Sequence, residues 1–68
     1  MKNKRLIKMR VDHELTQAEL AEKCGISACT YSLIENGKRR GSKQFWQTLQ
    51  TLFNLEGAEI WKLQNPEI

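Results

Sequence analysis

The side chains able to do covalent or metal chemistry are few in this chain and badly placed for it. His13 is the sole histidine, and Cys24 and Cys29 are the two cysteines. A zinc box needs a further pair of thiols or imidazoles at matching spacing, and none follows. The acids are scattered, with no paired carboxylates, no nucleophile beside a base and no phosphate-cradling glycine loop. An enzyme is therefore the weakest reading, and neither a metal nor a cofactor is implied. What the composition supplies instead is charge. Eleven Lys and Arg oppose eight Asp and Glu, a formal net charge of +3 at pH 7. Lys2, Lys4, Arg5, Lys8 and Arg10 all precede the first acid, Asp12. Lys38, Arg39, Arg40 and Lys43 form a second cluster with no acid among them, whereas Glu56, Glu59 and Glu67 outnumber Lys62 towards the end. Two basic patches suit a polyanionic partner, and a merely solvated surface equally well.

The elements that must hold these charges are helical. A length of 68 residues predicts one domain over 1–68, with a core over about 4–64 and a short tail, burying roughly 60% of its surface. At 40% hydrophobic and 28% charged the chain is an ordinary globular one. No apolar run approaches the ~20 residues that span a bilayer, and the basic start leads into no secretory signal. A soluble, cytoplasmic protein without membrane contact is expected, with its cysteines as free thiols. There is no sustained period-two alternation, so no strand is predicted. A first helix runs from about Lys4 to His13. Thr16 and Glu19 make a capping box, and Leu15 and Leu20 suit a hydrophobic staple at the start of a second helix that stops at Gly25. Ser27 caps a third over Ala28–Glu35, which Asn36-Gly37 ends. Ser42 caps a fourth, with Phe45, Trp46, Leu49, Leu52 and Phe53 on its apolar side, and Asn54 ends it. Glu56-Gly57 separates a last helix around Ala58–Leu63, and Pro66 closes the tail. The expectation is a compact all-α bundle of five helices.

Within that bundle the second and third helices, joined through Cys24-Gly25-Ile26-Ser27, have the form of a helix-turn-helix. Ala21 is small enough for close approach, Gly25 permits a positive φ, and Ile26 plugs the angle between the helices. Stepping about 100° per residue from Ala28 puts Tyr31 and Ile34 near 300° and 240°, on the core side. Ala28, Ser32, Cys29 and Leu33 fall near 0°, 40°, 100° and 140°, on the outward side, which suits a DNA major groove.

These residues resemble a known family. Leu15-Thr16-Gln17-Ala18-Glu19-Leu20-Ala21, Gly25-Ile26-Ser27 and Ile34-Glu35-Asn36-Gly37-Lys38-Arg39 are similar to the Cro and phage-repressor (Xre-type) helix-turn-helix proteins. The likeness extends to Leu49, to Leu52-Phe53-Asn54-Leu55 and to Ile60-Trp61-Lys62-Leu63, nearly the whole chain. It implies that Gln17 hydrogen-bonds a DNA phosphate beside a helix N-terminus, where the dipole favours an anion; the plainer alternative is an exposed helix-start residue. It implies that Asn36, Lys38 and Arg40 reach the DNA backbone from the turn, with Lys43 and Gln44 as further phosphate contacts. Arg10 and Glu35 match a structural ion pair between the first and third helices.

Ser27, Ala28, Cys29, Ser32 and Leu33 take the base-reading positions, and here the chain departs from the family, whose members commonly place Gln, Arg, Asn or Lys there. No side chain among them forms the bidentate pairs that guanine and adenine favour. Three explanations stand side by side. Ala28, Cys29 and Leu33 read thymine methyls with Ser27 and Ser32 supplying hydrogen bonds; specificity comes from DNA shape; or the face has turned to protein binding. Gly41 stands where the family often has proline, which predicts a more mobile basic loop. The function so implied is a sequence-specific transcriptional regulator, a repressor on double-stranded DNA that binds a palindromic operator as a homodimer, with no small-molecule ligand evident. Phe53, Leu55, Ile60 and Trp61 are the candidate dimer interface, ordinary core packing being the alternative for Trp61. The rival function is a protein-interaction module such as an antitoxin or antirepressor-like partner.

Overall fold

The structure, a computed structural model, describes residues 2–65. Pro66, expected to close the tail, lies outside the described residues. Five helices follow one another: α1 (Lys4–Asp12), α2 (Gln17–Cys24), α3 (Ala28–Glu35), α4 (Lys43–Phe53) and α5 (Gly57–Gln64). There is no strand among the described residues. Three helix starts obey local chemistry. Thr16 Oγ1 accepts from the Glu19 N–H at 3.1 Å while Glu19 Oε1 accepts from the Thr16 N–H at 2.9 Å, so two donors of the first turn are satisfied reciprocally. Ser27 and Ser42 each accept from the backbone three residues on, Thr30 and Phe45, at 3.1 Å. Gly25 (φ 72°) and Asn54 (φ 53°) end α2 and α4 in the left-handed conformation.

Boundaries shift slightly from the expected ones. His13 is the C-cap of α1 rather than its last turn, its ring tilted against that of Phe53 with centroids 4.3 Å apart. Gly57 and Gln64 join α5, with Glu56 as its N-cap. The start of α1 was not expected to have a side-chain cap, yet Asn3 provides one. Its Oδ1 accepts from the Leu6 N–H at 3.0 Å and its Nδ2 donates to the Leu63 carbonyl of α5 at 2.7 Å. Its backbone N–H donates to the Glu35 carbonyl at 2.7 Å. One buried asparagine thus ties α1, α3 and α5 together.

The core is built from one face of each helix. Leu6, Leu20, Tyr31 and Leu49 are wholly buried, and Ala21, Ile34, Phe45, Trp46 and Leu63 nearly so. Burying each leucine contributes about 2 kcal/mol. Tyr31 and Phe45 lie 6.1 Å apart, and Phe45 meets Trp46 edge to face at 4.9 Å. Met9, Leu15, Cys24, Ile26, Phe53, Leu55 and Ile60 pack around them, half-buried. Leu52, expected on the apolar side of α4, is instead 41% exposed. Among the described residues no further helix covers that edge of α4.

Candidate nucleic-acid interface

The α2–α3 unit owes its angle to residues 24–27. Gly25 adopts φ 72°, its N–H donates to the Glu22 carbonyl at 3.1 Å, and the Ile26 N–H donates to Ala21 at 3.0 Å. Those bonds consume carbonyls that the end of α2 would otherwise leave unpaired. Ile26 then packs against the core, and Ala21, 1% exposed, leaves no side-chain bulk to hold the helices apart.

On α3 the two sides separate as the helical angles predict. Tyr31, Ile34 and Glu35 are buried, whereas Ala28 and Cys29 are exposed and Ser32 and Leu33 half-buried on the outward side. The outward side carries no charge. Ser27, exposed at the helix start, is occupied internally: its Oγ accepts from the Thr30 N–H at 3.1 Å and donates to Thr30 Oγ1 at 2.9 Å. Ser32 Oγ accepts from Asn36 Nδ2 at 3.3 Å, one turn further on.

Behind this face lies a buried charge cluster. Glu35 accepts from Arg10 Nε at 2.8 Å, from Arg10 Nη2 at 3.4 Å and from Gln17 Nε2 at 2.8 Å. Arg10 also donates to the Leu15 carbonyl at 2.8 Å, which ties the end of α1 to the chain entering α2. Burial pushes the Glu35 carboxyl up, but the hydrogen bonds to it and the Arg10 charge outweigh that and hold it below its ordinary value. The bond to Glu35 raises the Arg10 guanidinium in turn. The Tyr31 hydroxyl faces the same carboxylate without hydrogen-bond geometry to it, and burial together with Glu35 pushes its pKa up. Gln17 is therefore not a loose helix-start side chain. One amide hydrogen is committed to Glu35, and the amide keeps a second one to donate.

The basic cluster occupies the connection from α3 to α4. Lys38, Arg39 and Arg40 are exposed, as are Lys43 and Gln44 in the first turn of α4, while Asn36 is half-buried. A cleft of about 510 Å³ separates this connection from α3. Ile26, Ile34 and Phe45 floor it, and Thr30, Ser42, Arg39 and Arg40 stand around it. Arg39, which was not among the expected phosphate contacts, lines the same cleft as Arg40; its place in an acid-free run was the available signal. Gly41, where a more mobile loop is expected, also has a steric reason of its own. It sits at φ 79°, and a Cβ there would meet Phe45 and Trp46 at 3.1 Å. Trp46 Nε1 donates to the Arg40 carbonyl at 2.9 Å, fastening the loop to the core. Glycine is needed here for its conformation and for the close approach of an aromatic ring.

Both cysteines are unpaired thiols; Cys24 is half-buried, which pushes its thiol pKa up, and Cys29 is exposed. Among the described residues no three His, Cys, Asp or Glu side chains are grouped to hold a metal ion, and no helix is long and apolar enough to cross a membrane. Of the apolar residues singled out near the C-terminus, Phe53, Leu55 and Ile60 are half-buried against the core, and Trp61 is 50% exposed.

Comparison with known proteins agrees with this geometry. A family model described as Helix-turn-helix matches residues 6–60, from the buried Leu6 of α1 to Ile60 of α5. Neither the curated proteins nor the solved structures gave a match.

Proposed function

Because the chain belongs to the Cro and phage-repressor (Xre-type) helix-turn-helix family of DNA-binding regulators, we propose that it is a repressor that binds a palindromic operator as a homodimer and blocks transcription by occlusion. The observation that carries this reading is the uncharged outward side of α3 beside the exposed Lys38, Arg39 and Arg40. Such a face enters a groove without repulsion, while the flanking cations neutralise phosphates and set its register. Gln17, Asn36, Lys38, Arg40, Lys43 and Gln44 are the proposed phosphate contacts. A module of this size makes few base contacts, so pairing over half-sites roughly 34 Å apart supplies the remaining affinity. Exposed Trp61 and Leu52 support pairing through the α4–α5 edge, with Phe53, Leu55 and Ile60 beneath.

The test is selection of bound duplexes from a random pool, followed by a salt titration on the recovered site. The reading expects an inverted-repeat motif and a 2:1 protein–duplex stoichiometry. Lys38→Ala and Arg40→Ala each lower the salt slope by about 0.9 per lost phosphate contact in each bound subunit. Failure to enrich any motif at low salt refutes the specific-regulator reading. Retention of a partner protein that persists at high salt, without DNA binding, supports the interaction-module alternative instead.

A further inference from the structure

We infer that the α3 face reads thymine C5-methyl groups, with the Ser32 hydroxyl hydrogen-bonding beside them and Asn36 as the residue that orients it. This rests on the DNA-binding reading above and names what that site recognises. The outward side of α3 offers an exposed Ala28 and Cys29 and a half-buried Leu33. Their methyl, thiol and isobutyl groups have the size and polarity to pack on a thymine methyl, and none can form a bidentate pair with guanine or adenine. The two serines differ in what they have left to give. Ser27 spends its hydroxyl hydrogen on Thr30 Oγ1 and accepts from the Thr30 N–H, so it has no donor for a base. Ser32 accepts from Asn36 Nδ2, and its own hydrogen remains to be donated outward. A donor surrounded by apolar contacts matches the major-groove edge of thymine, whose O4 acceptor lies beside its methyl group. Cytosine lacks that methyl, so the apolar groups of α3 have nothing there to pack on, and thymine is distinguished by its methyl. The site is therefore a thymine-containing half-site, in which Asn36 occupies one lone pair of the Ser32 hydroxyl and so orients its hydrogen.

The experiment compares the selected duplex with copies in which single thymines are replaced by uracil, which removes the methyl and preserves every hydrogen bond. Binding is expected to weaken about fourfold for each methyl that α3 touches, and about fifteenfold when one is removed from each half of the palindrome. In Leu33→Ala the penalty for the uracil substitution at one position should vanish. In Ser32→Ala the uracil penalty should persist, while binding weakens about fivefold at one thymine position through the loss of one hydrogen bond. Asn36→Ala should weaken binding at that same position and not at the others, a position-specific change that a purely structural role for the amide does not produce. Equal affinity for thymine and uracil duplexes, or a selected motif without thymine, overturns the inference while leaving the regulator reading intact. No retention of any duplex at low salt overturns both.

Discussion

Replacing Glu35 by glutamine keeps the side chain's volume and removes its charge from the middle of the α1–α2–α3 junction. Glu35 is 2% exposed, and the Arg10 side chain that pairs with it is 15% exposed. Removing one partner from a buried pair costs about 3–5 kcal/mol, because the remaining charge is stranded. Arg10 retains the Leu15 carbonyl at 2.8 Å and some solvent, which places Glu35→Gln at the lower end, about 3 kcal/mol. A chain of this length has about 3–10 kcal/mol in total, so the variant loses between a third of its stability and nearly all of it. Arg10→Met strands the carboxylate instead, with Gln17 as its remaining donor, and costs about 4 kcal/mol. Replacing both, Arg10→Met with Glu35→Leu, removes both desolvated charges and should come within about 1 kcal/mol of the parent. Urea unfolding followed by far-UV circular dichroism gives each free energy, with Glu35→Leu alone as the further single variant that closes the cycle with Arg10→Met. The double variant folding while either single variant is largely unfolded is the expected pattern in its extreme form. Additive singles of under 1 kcal/mol each refute the reasoning, since that is how an exposed pair behaves.

The pH dependence follows from the same carboxylate. Its folded pKa lies below the ordinary 4.5, so its stabilisation is complete above that value and is lost as pH falls through the lower folded one. The urea midpoint should hold steady between about pH 7 and 5 and drop below pH 4.5, less steeply in Glu35→Gln. Gly25→Ala meets no atom within 4 Å of the new Cβ, so it should cost the left-handed strain alone, about 1 kcal/mol, read as a Tm lowered by roughly 4–8 °C. Gly41→Ala adds contacts at 3.1 Å with Phe45 and Trp46 to a similar φ, and its Tm should fall further. Asn3→Ala loses a helix cap and leaves the Leu63 carbonyl without its donor, about 2 kcal/mol by urea unfolding; Asn3→Asp should restore the cap alone.

What could be read from the sequence was whatever depends on near neighbours. Thr16 with Glu19, Ser27, Ser42, Gly25 and Asn54 mark helix ends through bonds reaching a few residues along the chain, so their spacing carries the information. The division of α3 into Tyr31 and Ile34 against Ala28 and Cys29 is likewise local, since the helical repeat imposes it. Asn3 escaped because its partners are backbone groups of Leu63 and Glu35, which no residue type announces. Gln17 was read as a phosphate contact, with an exposed helix-start residue as the alternative, and its bond to Glu35 was missed for a related reason: it exists because α2 and α3 cross. The exposure of Leu52 depends on which helix covers the edge of α4, a matter of assembly that the apolar pattern within α4 does not contain. Gly41 was read through flexibility, whereas an indole ring from the next helix decides the matter. The difference between Ser27 and Ser32 lies in which neighbour takes up each hydroxyl.

The bond from Asn3 to Leu63 closes a span of 60 residues, and this bears on the order in which the chain acquires its shape as it is made. α2 and α3 have their caps and turn within adjacent sequence, so that pair is free to form early. The cover that α5 gives to α1 must await almost the last helix. At 5–20 residues per second, synthesis leaves the buried face of α1 waiting on the order of several seconds for it. During that interval the Asn3 amide lacks the Leu63 carbonyl that it donates to in the finished fold.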